Sequence, residues 1–433
     1  DGLKRLVNEA HKKGLAVILD VVYNHLGPEG NYLSLFAPYF TGKYNTPWGK
    51  AVNFDDSYSD EVRNYFIQNA IYWMEHFHVD AIRLDAIHAI YDNSAYPFLR
   101  ELSDTVKNFS VAKDRPFYLI AESGLNDLKV INDLTPGDFN MHSQWSDDFH
   151  HVLHALLTGE KNGYYIDYDA VGQLEKFFRH GQIFTGEYSE FRKRRFGNDT
   201  SLMPPERFTV CAQNHDQTGN RMMGERLSQL VSFESQKLAA GITLMSPFLP
   251  LLFMGEEYGE DNPFQYFVHH NDPNLVEAVR KGRKREFREF RWKGEVPDPQ
   301  DIETFNRSKL DWNKQREGRY EKLLSFYKQL IQWRKEKKLG VTPWKHVHPA
   351  SDDELRLFSL LRDEPGNEHL IIFSFNMKKI KVKLTHVQGK WRKLMDSSST
   401  EWDGPGSLVL DFVEDFNVLE MNQMSFVLLE KYD

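Results

Sequence analysis

Cysteine is nearly absent: Cys211 is the single one in 433 residues. One thiol closes no intrachain disulfide and builds no thiolate metal cage, and such sparse use points to a reducing compartment, the cytoplasm. Long apolar runs are missing too. The longest, "GITLMSPFLPLLFMG" (Gly241 to Gly255), carries Pro247 and Pro250 and is too short to span a bilayer. There is no excess of basic charge: 54 Lys and Arg stand against 63 Asp and Glu, a net charge of −9. Nucleic-acid binding needs a basic face, so neither nucleic acid nor membrane is expected as a partner. Oligomeric state leaves no mark. The short cluster "FRKRRFG" (Phe191 to Gly197) reads as a solvated helix end or loop. No glycine-rich turn follows any strand, which argues against a doubly wound dinucleotide fold. The chain opens on Asp1 inside a helical pattern, without Met, so an upstream segment is expected.

What is present is an alternation of helices and buried strands, from the first residue to about Gly340. "DGLKRLVNEAHKKG" puts Leu3, Leu6, Val7 and Ala10 on one helical face. "LAVILDVVYNH" (Leu15 to His25) is an apolar, β-branched run suited to a parallel strand covered on both faces. Further strands read at "VDAIRLDAIHAI", "FYLIAES", "RFTVCAQNHDQ" and "PLLFMGEEYGE", and "FNMHSQWSDDFHHVLHALLTG" holds a short strand and then a helix. The helix "SDEVRNYFIQNAIYWMEHF" is expected to be capped by Ser59 or Asp60. After the long helix "GRYEKLLSFYKQLIQWRKEKK" the pattern changes to period-2 segments: "LRLFSLLR", "HLIIFSFN", "KIKVKLT", "SLVLDF" and "MSFVLLEK". The expected architecture is α/β. Residues 1–340 form a (β/α)8 TIM barrel, truncated at its N-terminal side so that about strands 3–8 remain, and 341–433 form a small antiparallel β-sandwich domain.

Each barrel strand runs apolar and then ends in charged or amide residues: Asp20, Asn24 and His25; Arg83, Asp85 and His88; Glu122; His215 and Asp216; Glu256 and Glu257. Chemistry in such barrels sits at the C-terminal ends of the strands. Arg83 and Asp85 are two positions apart and share one strand face. Retaining cleavage of a glycosidic bond needs two carboxyl groups ~5–5.5 Å apart, one ionised and one protonated. Asp85 beside Arg83 suits the ionised nucleophile, because a nearby cation favours the carboxylate. Glu122, ending a separate apolar strand, suits the acid, since partial desolvation raises a carboxyl pKa. Asp216 could hold ring hydroxyls and steady an oxocarbenium-like transition state. Each residue also has a plainer reading: a structural Arg83–Asp85 ion pair, Glu122 capping a helix, a His215–Asp216 hydrogen bond in a turn. What weighs against three separate accidents is that all of them recur at one barrel rim.

"DVVYNH", "AIRLDAIH", "LIAES" and "QNHDQ" resemble, in order and spacing, the four short conserved regions of the alpha-amylase superfamily of retaining glycoside hydrolases. The resemblance implies a catalytic barrel. Asp85 stands as nucleophile, Glu122 as general acid/base and Asp216 as third acid. His25, Arg83, His88 and His215 stand as groups holding the nucleophile and the sugar, and Asp20 and Asn24 as a structural polar pair, Asp20 orienting Arg83. "YNHLGPEGNYL", "QWSDDFHHVLHALLTGE", "CAQNHDQTGNR", "LLFMGEEYGE" and "SKLDW" are similar to members that cut the α-1,4 bond next to a terminal trehalose. In those, Asp147, Asp148 and His150 would lie at the cleft rim near the sugars. The implied partner is a malto-oligosaccharide capped by trehalose. Two alternatives stay open: a glucan branching enzyme moving α-1,4 chains to α-1,6 positions, and a non-catalytic carbohydrate-binding barrel.

His150 and His154, four apart on a helix, have a zinc-compatible spacing. His151 stands where a metalloprotease helix carries its glutamate, and no third ligand is evident nearby, so no metal and no cofactor are expected. "MGEEYGE" reads either as an acid-rich helix start or as a rim contact.

Overall fold

The computed structural model describes residues 1–133, 135–286, 295–384, 387–414 and 418–432. The chain divides into two compact units: residues 1–146 with 197–203, and residues 147–196 with 204–433.

The first unit holds four parallel strands, β1 (Ile18–Val21), β2 (Ala81–Leu84), β3 (Tyr118–Glu122) and β4 (Ser143–Trp145), hydrogen-bonded in that order. Helices α1 (Gly2–Lys12), α2 (Ser59–Phe77) and α3 (Phe98–Lys113) connect or precede them. β2 is wholly buried, as its apolar run predicts. β1 is not: Ile18 and Asp20 are exposed, Ile18 at 54%. It is the edge of this four-strand array, so its outer side has no strand in this unit to cover it. Of the four apolar positions expected to form the buried face of α1, only Val7 is buried, and Leu6 stays exposed. The start of α2 is also different. Its N-cap is Tyr58, in a left-handed conformation, and no side chain caps the helix.

The second unit continues the β/α pattern. It runs through α4 (Asp147–Thr158), α5 (Val171–His180), β5 (Phe208–Val210), α6 (His215–Gly219), α7 (Leu227–Leu230), α8 (Phe233–Met245) and β6 (Leu249–Pro250), with β5 and β6 parallel. Helices α9 (Pro273–Glu286), α10 (Ile302–Arg307) and α11 (Gly318–Glu336) follow. Among the described residues six parallel strands, four and two, carry the β/α alternation of a (β/α)8 barrel. Gly181, at φ +74°, ends α5 where a Cβ would fall 2.3 Å from the Phe208 ring. Only glycine lets the helix stop against the first residue of β5. The basic cluster is neither helix end nor loop alone. It is the turn and second strand of a hairpin, Thr185–Ser189 with Arg194–Gly197. Phe196 is buried there under the Arg192 guanidinium, 3.8 Å from the ring centre.

After α11 the chain turns antiparallel. β7 (Val347–Asp352), β8 (Leu357–Glu364), β9 (Asn367–Ser374), β11 (Lys390–Asp396), β12 (Phe412–Glu414) and β14 (Ser425–Tyr432) form one sheet; β10 (Ile380–Val382) and β13 (Leu419–Met421) form a second. Residues of both sheets, among them Leu370, Ile372, Ile380, Val382, Met421 and Leu429, bury a common apolar cluster around Trp391, as the alternating pattern requires. Three strands escape the sequence pattern: β7, which carries Pro349, β11, which interleaves Lys and Arg, and the three-residue β13. "SLVLDF", expected as a strand, is irregular until Phe412 although Val409 is buried. Thr385 of "KIKVKLT" and Asp433 lie outside the described residues.

Candidate active site

The first unit gathers charge at the C-terminal ends of β1, β2 and β3. Arg83 is the last residue but one of β2 and is 2% exposed. Its Nη1 donates to Asp20 Oδ1 at 2.7 Å and to Asp85 Oδ1 at 3.0 Å. Its Nη2 lies 2.9 Å from Glu122 Oε2. Below, the guanidinium stacks on Trp145 at the end of β4, 4.1 Å from the ring centre. Register explains the convergence: Asp20 pairs with Arg83 across β1 and β2, and Arg83 with Ile120 across β2 and β3. Parallel pairing in register thus puts the strand ends level. Burial pulls the guanidinium pKa down, but Glu122, Asp20 and Asp85 more than offset it, and the net shift is upward.

Contrary to the expectation of a shared strand face, Asp85 lies beyond the strand that carries Arg83. β2 ends at Leu84, and Asp85 heads a turn in which Ala86 takes φ 39°. This left-handed conformation costs an L-residue roughly 1–2 kcal/mol. It aims the Ala86 N–H at Glu122 Oε2, 2.7 Å away. Asn24 donates through Nδ2 to both Asp85 Oδ2 and the Asp85 carbonyl, each at 2.8 Å, and its Oδ1 contacts His25 Nδ1. Asp85 and Glu122 therefore hang from one buried guanidinium, each held by a second donor. Their side chains remain 22% exposed while Arg83 is sealed. The carboxyl groups are what a ligand can reach.

Two neutral imidazoles flank them. Burial lowers the pKa of His25 and of His88, against the opposing pull of Asp85. A neutral imidazole can donate to or accept from a sugar hydroxyl. His88 Nδ1 is 3.5 Å from the Gly124 N–H. His25 stacks on Trp48 at 4.3 Å, the two rings nearly parallel, and Trp48 is half exposed. Trp48 and Trp145 were not singled out from the sequence. Nothing in local periodicity separates a tryptophan of a site from one of a core.

In the second unit, Asn214 caps α6, its Oδ1 accepting from Gln217 N at 2.8 Å. His215 and Asp216 sit in the first turn, 3.4 Å apart and each 41% exposed. Asp147, at the start of α4, accepts from Gln217 Nε2 at 3.5 Å, and Gln217 Oε1 accepts from Tyr164 OH at 3.0 Å.

Asp148 and His150 are not at a rim. Asp148 is 3% exposed. It accepts from Tyr168 OH at 2.6 Å, Ile183 N at 2.6 Å and Phe184 N at 3.2 Å. His150 is 2% exposed and is held by the Ala212 carbonyl and Tyr165 OH. Burial and the neighbouring His154 lower its pKa to about 3. The expectation fails because α4 is buried on every side from Asp148 to Leu157, so position on the helix does not decide exposure. Asp148→Asn should therefore cost about 2–3 kcal/mol of stability, the loss of a charged acceptor serving three donors. The KM for a sugar substrate should stay unchanged. A tenfold rise in KM at constant Tm would restore the sugar-contact reading.

His154 has a neighbour that sequence reasoning did not count. Its Nε2 is 2.9 Å from Glu160, whose two oxygens also take Arg221 Nη1 and Nη2, each at 2.9 Å. The arginine occupies the carboxylate that a metal would need. Among the described residues no group of three or more candidate ligands converges.

Residues 53–342 match the alpha amylase catalytic domain family. The chain is 50% identical over 335 residues to a malto-oligosyltrehalose trehalohydrolase of Saccharolobus solfataricus, which covers 77% of this chain and 57% of that one. It is 40% identical over 412 residues to the malto-oligosyltrehalose trehalohydrolase of Brevibacterium helvolum, covering 94% and 68%. A crystal structure from Salmonella typhimurium, of a protein assigned to the alpha amylases, superposes with a TM-score of 0.85 at 32% identity, over 99% of this chain and 70% of that one. The chain thus spans a little over half the length of the Saccharolobus relative.

Proposed function

The chain belongs to the alpha-amylase family, and from that premise we propose that it hydrolyses the α-1,4-glucosidic bond next to the terminal trehalose of malto-oligosyltrehalose, with retention. The observation that carries the chemistry is the pair of carboxyl groups, Asp85 and Glu122, on the two terminal nitrogens of one buried guanidinium. The substrate rests on the trehalohydrolase relatives.

In this reading Asp85 attacks C1 of the glucose preceding the trehalose unit. The C1–O4 bond breaks, and Glu122 gives its proton to O4, so that trehalose leaves first. The malto-oligosyl chain stays on Asp85. Glu122 then takes a proton from water, which attacks C1 and frees the carboxylate. Asn24 and Arg83 fix the Asp85 oxygens for in-line attack. Glu122 must release its contact with Arg83 or hold the proton on its other oxygen to act as an acid. His25 and His88, beside the two carboxyl groups, hold ring hydroxyls, and His215 and Asp216 keep the sugar-holding and third-acid roles that the family motif implies. No metal or cofactor enters the scheme. Cys211, free and buried, fits a cytoplasmic enzyme, and no described helix is long and apolar enough to cross a membrane.

Product analysis decides the function. Incubation with maltotriosyl trehalose should release free trehalose and maltotriose as the α-anomer. New α-1,6 branches from a linear α-1,4 glucan, without free trehalose, would replace this reading with glycosyl transfer. Binding with no turnover would leave a carbohydrate-binding barrel.

A further inference from the structure

Glu256, the first acid of "GEEYGE", is 5% exposed and lies on the single helical turn Glu256–Tyr258 that follows β6. Its Oε2 accepts from Phe253 N at 3.0 Å, and its Oε1 from Tyr327 OH of α11 at 3.3 Å. It also hydrogen-bonds the Gln213 side chain. The same Gln213 accepts through Oε1 from Leu227 N of α7, at 3.1 Å. Among the described residues no lysine or arginine forms an ion pair with Glu256. Burial without a paired cation drives this carboxyl toward the neutral acid, against the three donors, which favour the anion.

Gln213 begins the segment Gln213–Asn214–His215–Asp216. Its amide is gripped at both ends, by Leu227 and by Glu256, while Asn214 caps the helix that carries Asp216. Building on the reading above, we propose that Glu256 is a positioning residue: as a buried neutral acid it locks the Gln213 amide, and through it the turn that presents His215 and Asp216 to the sugar.

The neutral form has a pH limit. Burial pushes the Glu256 carboxyl up to about 8. The groups facing it are Glu257 on its own turn, Tyr327 on α11, Cys211 after β5 and Arg226 before α7. Burial drives the Tyr327 phenol and the Cys211 thiol far upward, so both keep their protons. Burial lowers the Arg226 pKa from its ordinary value. As pH rises through about 8, Glu256 becomes a buried anion, and the grip on Gln213 changes.

Two variants of the full-length protein test this. Glu256→Gln keeps a neutral planar group but cannot ionise. Its kcat at pH 6.5 should lie within about threefold of wild type, and its alkaline fall should begin at higher pH than in wild type, what remains belonging to the proton that Glu122 must hold. Glu256→Leu cannot hold the amide. It should lose at least tenfold in kcat with KM within about twofold, and amide hydrogen exchange at Leu227 and Gln217 should quicken relative to wild type at the same pH. A folded Glu256→Leu protein with wild-type kcat and exchange overturns the proposal. So does a Glu256→Gln profile with the wild-type alkaline fall intact. If Glu256→Leu does not fold, the Glu256→Gln profile decides alone. Should wild type release no trehalose from maltotriosyl trehalose, the functional reading fails. Exchange at Leu227 and Gln217 still tests the positioning role, and kinetics can be repeated on whichever α-glucan the protein cleaves.

Discussion

Asp85→Ala is expected to lose on the order of 10^4-fold or more in kcat on trehalose-capped maltodextrin, about 5 kcal/mol of transition-state stabilisation. In the proposed mechanism Asp85 forms the covalent bond that splits one hard displacement into two, and no neighbouring group can take its place: there Glu122 serves the leaving oxygen, and Asp20 is bonded to Arg83. The fold should survive. Asp85 is partly exposed, and its loss leaves Arg83 with Asp20 and Glu122 as partners. A Tm within a few degrees of wild type, with turnover gone, is the expected pair of results. Near-native turnover in a folded Asp85→Ala protein would refute the double-displacement assignment. Small azide added to this variant offers a second check. It fits the space left by the carboxylate and can attack C1 from the same face, giving a β-glycosyl azide that hydrolysis cannot produce.

The second large effect falls on stability as well as rate. Arg83→Met removes the one cation that Asp20, Asp85 and Glu122 share, together with the stacking on Trp145. Removing one partner of a buried ion pair typically costs 3–5 kcal/mol. All three carboxylates keep some access to water, so about 3 kcal/mol is expected here, read as a lower urea midpoint. Three carboxylates without a cation repel one another, so the deficit should shrink as salt is added. Turnover should fall as well, by at least 10^2-fold, because Asp85 and Glu122 lose their common anchor. An Arg83→Met protein as stable as wild type at low and high salt would show that the guanidinium is not what holds the cluster together.

Much of this site is legible in the chain itself. Each of Asp20, Arg83, Glu122 and Asp216 sits where an apolar run stops. That pattern is local: a strand covered on both faces must be apolar, and polar groups can appear only where it emerges. The short regions around these residues also carry the family resemblance, so sequence alone reaches an α/β chain of the alpha-amylase family followed by an antiparallel segment.

What it does not reach is who faces whom. Asp148, His150 and Glu256 are as polar in the sequence as Asp85 or Asp216, yet they are sealed inside and bonded to Tyr168, Tyr165 and Tyr327. Periodicity fails there because α4 has no solvent face from Asp148 onward and the turn at Glu256 is too short to have a period. Trp48 and Trp145 took up their places against His25 and Arg83 by the same route. Composition and spacing determined which residues could bear charge at strand ends. Only the packing of segments tens of residues apart decided which of those charges meet water and which are satisfied within. That depends on the position of hydrogen-bond partners in space, which no local stretch of sequence encodes.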